Sequence, residues 1–151
     1  MLARYILILS FLLIQILGSQ AEPGARRVKF LNYPDCIELS NSAGTVAILS
    51  HHVGGRVLSY RQDAKESLFI GPDESEWTPN GNKKPSSAGR FDIGPEYLIP
   101  KRSELWSGVW EAKITGPRKA RLISKESPDA GIRLIRDFVL ADDSSHLVCT
   151  Q

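Results

Sequence analysis

The middle of the chain carries the side chains that could bind or transform a small polar molecule. Arg90 would present a fork of N–H donors to hydroxyl oxygens or to a sugar acid. Asp92 and Glu96 lie four residues apart, and two carboxylates can serve as general acid and base on a glycosidic bond. Trp106 and Trp110 could place flat apolar rings against the C–H face of a sugar, with their indole N–H groups as polar handles. These five residues are the candidate substrate-binding set, and none of them is assigned as catalytic.

Each of these candidates also has an ordinary structural explanation. Asp92 and Glu96 flank a Gly-Pro pair, where an Asp that caps a turn and a solvated Glu are common. Arg90 could belong to a surface salt bridge with the acids of its own loop. An indole buries a large area, so at least one of Trp106 and Trp110 could anchor the core instead. The residue types alone leave both explanations open.

The sequence lacks the common motifs for metal, nucleotide or nucleophilic chemistry. His51 and His52 are adjacent, so on an extended chain their rings point to opposite sides and hold one metal ion poorly, unless a turn before Gly54 changes this. Cys36 and Cys149 form no C-x-x-C pair and have no His at ligand spacing. There is no G-x-S-x-G elbow, Gly-rich phosphate loop or H-E-x-x-H motif. We therefore predict no metal and no cofactor.

The N-terminus has the pattern of a secretory signal peptide over residues 1–21. One basic residue, Arg4, precedes an apolar run over residues 5–17, and Ser19 and Ala21 occupy the small-residue positions of a cleavage site. A retained membrane anchor is the alternative, but the run is shorter than the roughly 20 residues that a spanning helix needs. The pattern predicts cleavage near Ala21, a secreted or periplasmic product, and no membrane association afterwards.

The charge balance does not indicate a polyanionic partner. The chain has 19 basic and 17 acidic residues, for a formal net charge of +2, and the two signs are interspersed. Nucleic-acid binding needs a clustered basic stripe, which is absent from the sequence, so we expect no DNA or RNA partner. The length is that of one domain with its own core.

Export would give the two cysteines an oxidising environment. Cys36 and Cys149 stand near opposite ends of the mature chain, and a disulfide between them would close a loop worth up to about 4–5 kcal/mol in the chain-entropy model. The alternative is a pair of free thiols, each packed as a small hydrophobic side chain. The spacing does not decide between them.

The mature chain reads as an antiparallel all-β domain over residues 36–151, after a lead-in over residues 22–35. A long loop over residues 71–89 is rich in Pro, Gly, Asn and Ser, and it contains Trp77, a third aromatic candidate. Strand-like runs divided by turn signals cover residues 36–40, 45–50, 56–61, 67–70, 109–115, 119–125, 131–140 and 145–150.

One predicted strand carries a charge on its apolar face. By period two, Arg136 falls on the same face as Ile132, Leu134, Phe138 and Leu140. Such an Arg must pair, line a groove, or pack its stem while its head reaches water. The favoured interpretation is the last of these.

The sequence resembles the N-terminal part of the galactose mutarotase-like, or aldose 1-epimerase, superfamily. The similar segments are CIELSNSAGTVAILSHHVGGRVLSYRQDAKESLFIG, with its Gly54-Gly55-Arg56 turn into a strand, and GIRLIRDFVLADDSSHLVCTQ, with its Asp-rich turn. The resemblance spans most of residues 36–151. It implies a β-supersandwich whose concave face binds carbohydrate, and by position it makes Arg90 the match for a substrate-binding Arg.

In the enzymes of that family a His and a Glu act as general acid and base at the anomeric hydroxyl, and neither motif has a match in this sequence. The family's domains are also longer. We therefore expect the N-terminal portion of an aldose epimerase-like protein, which binds a monosaccharide or sugar acid and by itself lacks isomerase activity. The alternative is a non-catalytic exported structural or interaction module without sugar binding. Partial sheets would leave apolar edges open, so we also expect self-association.

Overall fold

The computed structural model describes residues 23–83, 85 and 87–151, so the signal peptide predicted over residues 1–21 lies outside the described residues. The first sheet has five strands in chain order: β1 (Gly24–Phe30), β2 (Tyr33–Ser40), β3 (Thr45–Ser50), β4 (Arg56–Gln62) and β5 (Lys65–Glu66). The second has four: β6 (Glu111–Gly116), β7 (Lys119–Ile123), β8 (Ile135–Leu140) and β9 (Leu147–Thr150). In the described part of the chain, the connection from β5 to β6 contains a 3-10 turn, Pro72–Glu76, and a short helix, α1 (Ser103–Trp106).

The two sheets pack face to face as an antiparallel β-sandwich, which confirms the predicted all-β class. Side chains alternate between the two faces of a strand, so Ile37 and Leu39 of β2 point to one face while Cys36 points to the other. The first face packs against Leu122 and Phe138 of the second sheet and forms the main core. Apolar burial between the sheets is therefore what holds the sandwich together.

A second, smaller core lies on the outer face of the first sheet. It contains six buried side chains: Tyr33, Cys36, Ile48, Val53, Leu58 and Trp77. Because Trp77 belongs to the 71–89 loop, it anchors the loop on this face, while residues 78–83 remain exposed. The outer face of the first sheet is thus partly covered by the loop.

The structure corrects three of the predicted elements. Half of the predicted lead-in is β1, which pairs with β2, and its last three residues, 33–35, are the start of β2. Residues 67–70 are not a strand, because the Glu66 carboxylate accepts the N–H groups of Ser67 and Leu68 and ends the pairing after β5. In the 131–140 run only the part from Ile135 onward is a strand, and Gly131 before it has a left-handed φ of 65°.

Arg136 does not reach water, so the favoured interpretation of its position was wrong. Its side chain is fully buried, and its guanidinium donates to the carbonyl oxygens of Gly54, Gly55 and Phe91 at 2.6–2.8 Å. The same group lies 4.5 Å from the centre of the Trp110 ring. Arg136 therefore joins β8 to the glycine turn before β4, and burial lowers the pKa of its guanidinium to about 10.

Both cysteines are free thiols in the structure, as in the alternative to the disulfide. Cys36 is buried in the smaller core, whereas Cys149 packs against the main core from the second sheet. The first sheet therefore stands between the two thiols. Burial raises the pKa of Cys36 to about 11, which keeps it protonated at neutral pH.

Within the described part of the chain, no helix has both the length and the apolar character needed to cross a membrane.

Candidate functional site

A cleft of about 1060 Å³ opens between the 71–89 loop and the segment around α1. Its floor is the bend that connects β3 to β4. The described lining residues are His52, Val53, Trp77, Thr78, Pro79, Gly81, Lys83, Pro85, Ser87, Ala88, Gly89, Arg90, Trp106, Ser107 and Val109. The cleft therefore brings together two of the predicted substrate-binding residues, Arg90 and Trp106, and adds the third aromatic candidate, Trp77.

Arg90 is held in a fixed orientation against Trp106. Its guanidinium lies 4.9 Å from the centre of the Trp106 ring and donates to the carbonyl oxygen of Trp106 at 2.9 Å. A second bond of 2.9 Å runs to the carbonyl oxygen of Pro85. Burial and the nearby charge of Arg56 lower the pKa of Arg90 to about 10, so the group remains charged at neutral pH. Among the described residues no acid pairs with it, unlike the surface salt bridge considered above.

The two cleft indoles differ in exposure. Trp106 is 42% exposed, so much of its ring faces the open cleft. Trp77 is almost fully buried and stacks on Tyr33 with ring centres 4.1 Å apart. Trp106 thus offers the accessible aromatic face, while Trp77 closes the back of the cleft.

Asp92 and Glu96 lie outside the cleft lining and share a different partner. Asp92 accepts two hydrogen bonds from Arg102, at 2.9 and 2.5 Å, and a third from the backbone N–H of Ile93 at 2.8 Å. Glu96 is 88% exposed and lies 3.8 Å from Arg102. The Arg102 guanidinium holds the pKa of Asp92 below its usual range. These contacts match the turn-capping Asp and solvated Glu of the structural alternative.

Trp110 is a core residue. Its ring is buried, and its indole N–H donates to the carbonyl oxygen of Glu104 at 3.0 Å. A Cβ added at Gly55 would lie 2.3 Å from this ring, so only glycine allows the backbone to pass so close. Of the two indoles beside Ser107 and Gly108, one therefore anchors the core and one faces the cleft.

A buried ionic cluster, which no motif in the sequence predicts, fixes the wall of the cleft. Glu74, in the 3-10 turn of the 71–89 loop, pairs with Arg56 at the start of β4 and accepts a hydrogen bond from the Tyr33 hydroxyl. All three side chains are fully buried. Burial and the Glu74 carboxylate raise the pKa of Tyr33, so its hydroxyl stays protonated and donates. A Glu in a polar loop gives no sequence signal that it will be buried.

The adjacent histidines do not face opposite ways, because the chain bends at residues 51–55 instead of continuing as a strand. The His51 and His52 rings lie 4.0 Å apart. Burial lowers the pKa of His51 to about 4, so it is neutral at physiological pH. Nε2 of His52 is hydrogen-bonded to the carbonyl oxygen of Pro34 at 2.5 Å, and the His52 and Trp77 ring centres lie 5.3 Å apart. Within the described residues no group of three or more His, Cys, Asp or Glu could hold a metal ion.

The ionisable groups of the described cleft lining are few. Its described lining contains no Asp or Glu, and its ionisable side chains are His52, Lys83 and Arg90. Lys83 pairs with Glu76 at 2.8 Å on the loop surface. What remains at the site is an aromatic face beside an oriented guanidinium, which can hold a ligand that has both an apolar face and oxygen acceptors.

Comparison with known proteins found no match for this chain among family models, curated proteins or solved structures.

Proposed function

We propose that this chain is an exported carbohydrate-binding domain, of the galactose mutarotase-like type, which holds a sugar in the cleft between the 71–89 loop and α1. The observation that carries the proposal is the pairing of Arg90 with Trp106. Sugars present C–H groups on one face and hydroxyl oxygens at the rim, and an accessible indole beside a fork of N–H donors complements both. The buried Glu74–Arg56 pair supports it, because it holds the opposite wall in place.

The sugar is bound without being converted. General acid–base chemistry at an anomeric centre needs both an acid and a base within hydrogen-bond reach of the sugar. The described cleft lining offers no carboxylate, Lys83 is paired with Glu76, and Arg90 stays charged, so His52 has no partner for this chemistry among the described lining residues. We expect fresh α-galactose and α-glucose to mutarotate in the presence of the chain at the rate seen in buffer. Polarimetry measures this, and a clear acceleration would contradict the non-catalytic assignment.

Titration with a panel of neutral monosaccharides and uronic acids, followed by tryptophan fluorescence and calorimetry, tests sugar binding itself. Trp106→Ala should weaken binding by at least about fivefold, because a stacked aromatic ring contributes about 1–3 kcal/mol to a planar or apolar ligand face. Phe69→Ala is the matched control, since Phe69 is 65% exposed and does not line the cleft. Equal affinities in the two variants would place the sugar elsewhere, and no response to any sugar would reject the proposal.

An interaction module is the second candidate function, and one observation favours it. An apolar groove of about 510 Å³ runs beside β9, lined by residues that include Tyr60, Leu68, Phe91, Leu147 and Val148. A groove of this kind next to an end strand can receive an apolar segment of another chain. Sugar titration separates the two candidates, because this groove lacks an oriented charged donor.

A further inference from the structure

The charge of the cleft has one sign. Every ionisable side chain in its described lining is a base: His52, Lys83 and Arg90. Lys83 is compensated by Glu76, to which it is paired at the loop surface. Arg90 is different, because its two hydrogen bonds go to neutral carbonyl oxygens, which orient a guanidinium but do not cancel its charge.

The position of Arg90 makes its charge available to a ligand. A guanidinium has five N–H donors, and the bonds to Trp106 and Pro85 occupy one on each terminal nitrogen, so further donors remain for an anion. The group is also partly withdrawn from water, which lowers its pKa to about 10. A cation in such surroundings binds an anion more strongly than a fully solvated one, because less water must be displaced and the local dielectric constant is lower.

The acids near this site are already engaged with other partners. Glu74 is held by Arg56 and Tyr33 in the loop wall, and Asp92 is held by two N–H groups of the Arg102 guanidinium, on Nε and Nη2. Neither carboxylate lines the cleft. A ligand carboxylate would therefore meet a positive field at Arg90 without a competing acid among the described lining residues.

From this arrangement we propose that the cleft selects an acidic sugar, a hexuronic acid or a sugar unit that ends in one, whose carboxylate binds Arg90 while its ring packs on the exposed part of Trp106. This inference rests on the proposed carbohydrate-binding function. A planar carboxylate fits the fork geometry of a guanidinium, and the stacking on Trp106 keeps that fork in place.

Calorimetric titration with matched pairs of ligands tests the inference: glucuronate against glucose, and galacturonate against galactose. We expect each acid to bind at least about tenfold tighter than its neutral partner, the gain expected from one charge-assisted hydrogen-bond pair. The preference should shrink as the salt concentration rises. Sodium acetate and sodium sulfate, titrated alone, show whether an anion without a sugar ring is sufficient.

Arg90→Gln should remove the preference for the acid: the affinity for uronic acids should fall more than the affinity for neutral sugars, until each acid and its neutral partner bind equally. Arg61→Gln is the control, because Arg61 is exposed on β4 outside the cleft and its loss changes the net charge equally. Arg90→Lys keeps the charge without the fork and should retain part of the preference, and circular dichroism of each variant verifies the fold.

The outcomes distinguish the inference from the function on which it rests. Equal affinity for acids and neutral sugars overturns the acidic specificity and leaves carbohydrate binding intact. Acetate or sulfate binding as tightly as the uronic acids overturns the role of the sugar ring. A panel in which no sugar binds overturns both proposals, and an unchanged acid preference in Arg90→Gln removes Arg90 from the site.

Discussion

Gly55 marks the place where the chain before β4 passes closest to the core. Its φ is +55°, in the left-handed region, and a Cβ there would lie 2.3 Å from the Trp110 ring. Gly55→Ala should therefore lower the free energy of unfolding by about 2–4 kcal/mol, since the left-handed conformation costs about 1–2 kcal/mol for a residue with a Cβ and overpacking costs about 1–3 kcal/mol. Urea denaturation measures the change.

Gly24→Ala is the control for this substitution. A Cβ at Gly24 meets no atom within 4 Å, and the φ of Gly24 is not left-handed. Gly24→Ala should therefore change the free energy of unfolding by less than about 0.5 kcal/mol. If Gly55→Ala lowers the free energy of unfolding no more than Gly24→Ala does, the backbone at residue 55 does not lie as close to the Trp110 ring as the structure shows.

Arg136 shows how far single residues can be predicted from the sequence. The alternation along β8 places it correctly on the inner face with Phe138. Its hydrogen-bond partners cannot be predicted in this way, because they are the carbonyl oxygens of Gly54 and Gly55, about 80 residues earlier in the chain. Only the packing of the two sheets brings that turn within reach of the guanidinium, so the buried head follows from tertiary structure and not from the strand pattern.

At the scale of elements, the 71–89 loop depends on the Glu74–Arg56 pair. Glu74→Gln should lower the free energy of unfolding by about 3–5 kcal/mol, because it leaves the Arg56 guanidinium buried without its counter-charge. The loss should be concentrated in the loop, which would exchange its amide hydrogens faster while the strands of the second sheet stay protected. Chemical denaturation and hydrogen exchange with mass spectrometry measure the two effects.

Glu76→Gln is the matched control within the same 3-10 turn. Its partner Lys83 is as exposed as Glu76 itself, and an exposed pair contributes only about 0–1 kcal/mol. Similar stability losses in the two variants would contradict the anchoring role of Glu74.

The same loop separates what the sequence can predict about an element from what it cannot. Its prolines and glycines correctly predict a long connection without strands, because a proline cannot donate to a sheet ladder. That the loop packs onto the first sheet could not be predicted. A buried carboxylate is tolerated only where a basic side chain pairs with it. The base that pairs with Glu74 is Arg56, which belongs to a different element, so the sequence of the loop does not reveal it.

At the scale of the whole molecule, the alternation of apolar residues predicts the sandwich, and most strands lie close to their predicted bounds. β1 was missed because its residues Arg26, Arg27 and Lys29 interrupt any apolar pattern. Such charges are typical of an end strand that must not pair with another chain. The same charges interrupt the apolar alternation by which a strand is recognised in a sequence, and they oppose pairing of β1 with the edge of another sheet.

The ends of the two sheets differ in how well they are protected. β1 carries the charged residues named above, and Arg27 also donates to the Ala112 carbonyl oxygen of β6 at 2.5 Å, so it blunts that end of the second sheet as well. β5 has only two residues. β9, the other end strand of the second sheet, carries no charged side chain. Val148 on this strand is 56% exposed, and the apolar groove lies beside it.

This asymmetry predicts self-association through β9. At micromolar concentration we expect light scattering to report species larger than the monomer, and Val148→Lys to return the chain to a monomer, because a lysine on an end strand opposes pairing with a second sheet. Leu98→Lys is the control, since Leu98 is 69% exposed and lies outside any strand, so it removes an equally accessible apolar side chain and adds the same charge. A loss of association in both variants would indicate non-specific apolar contact. A monomeric parent chain would show that the open edge alone does not drive pairing.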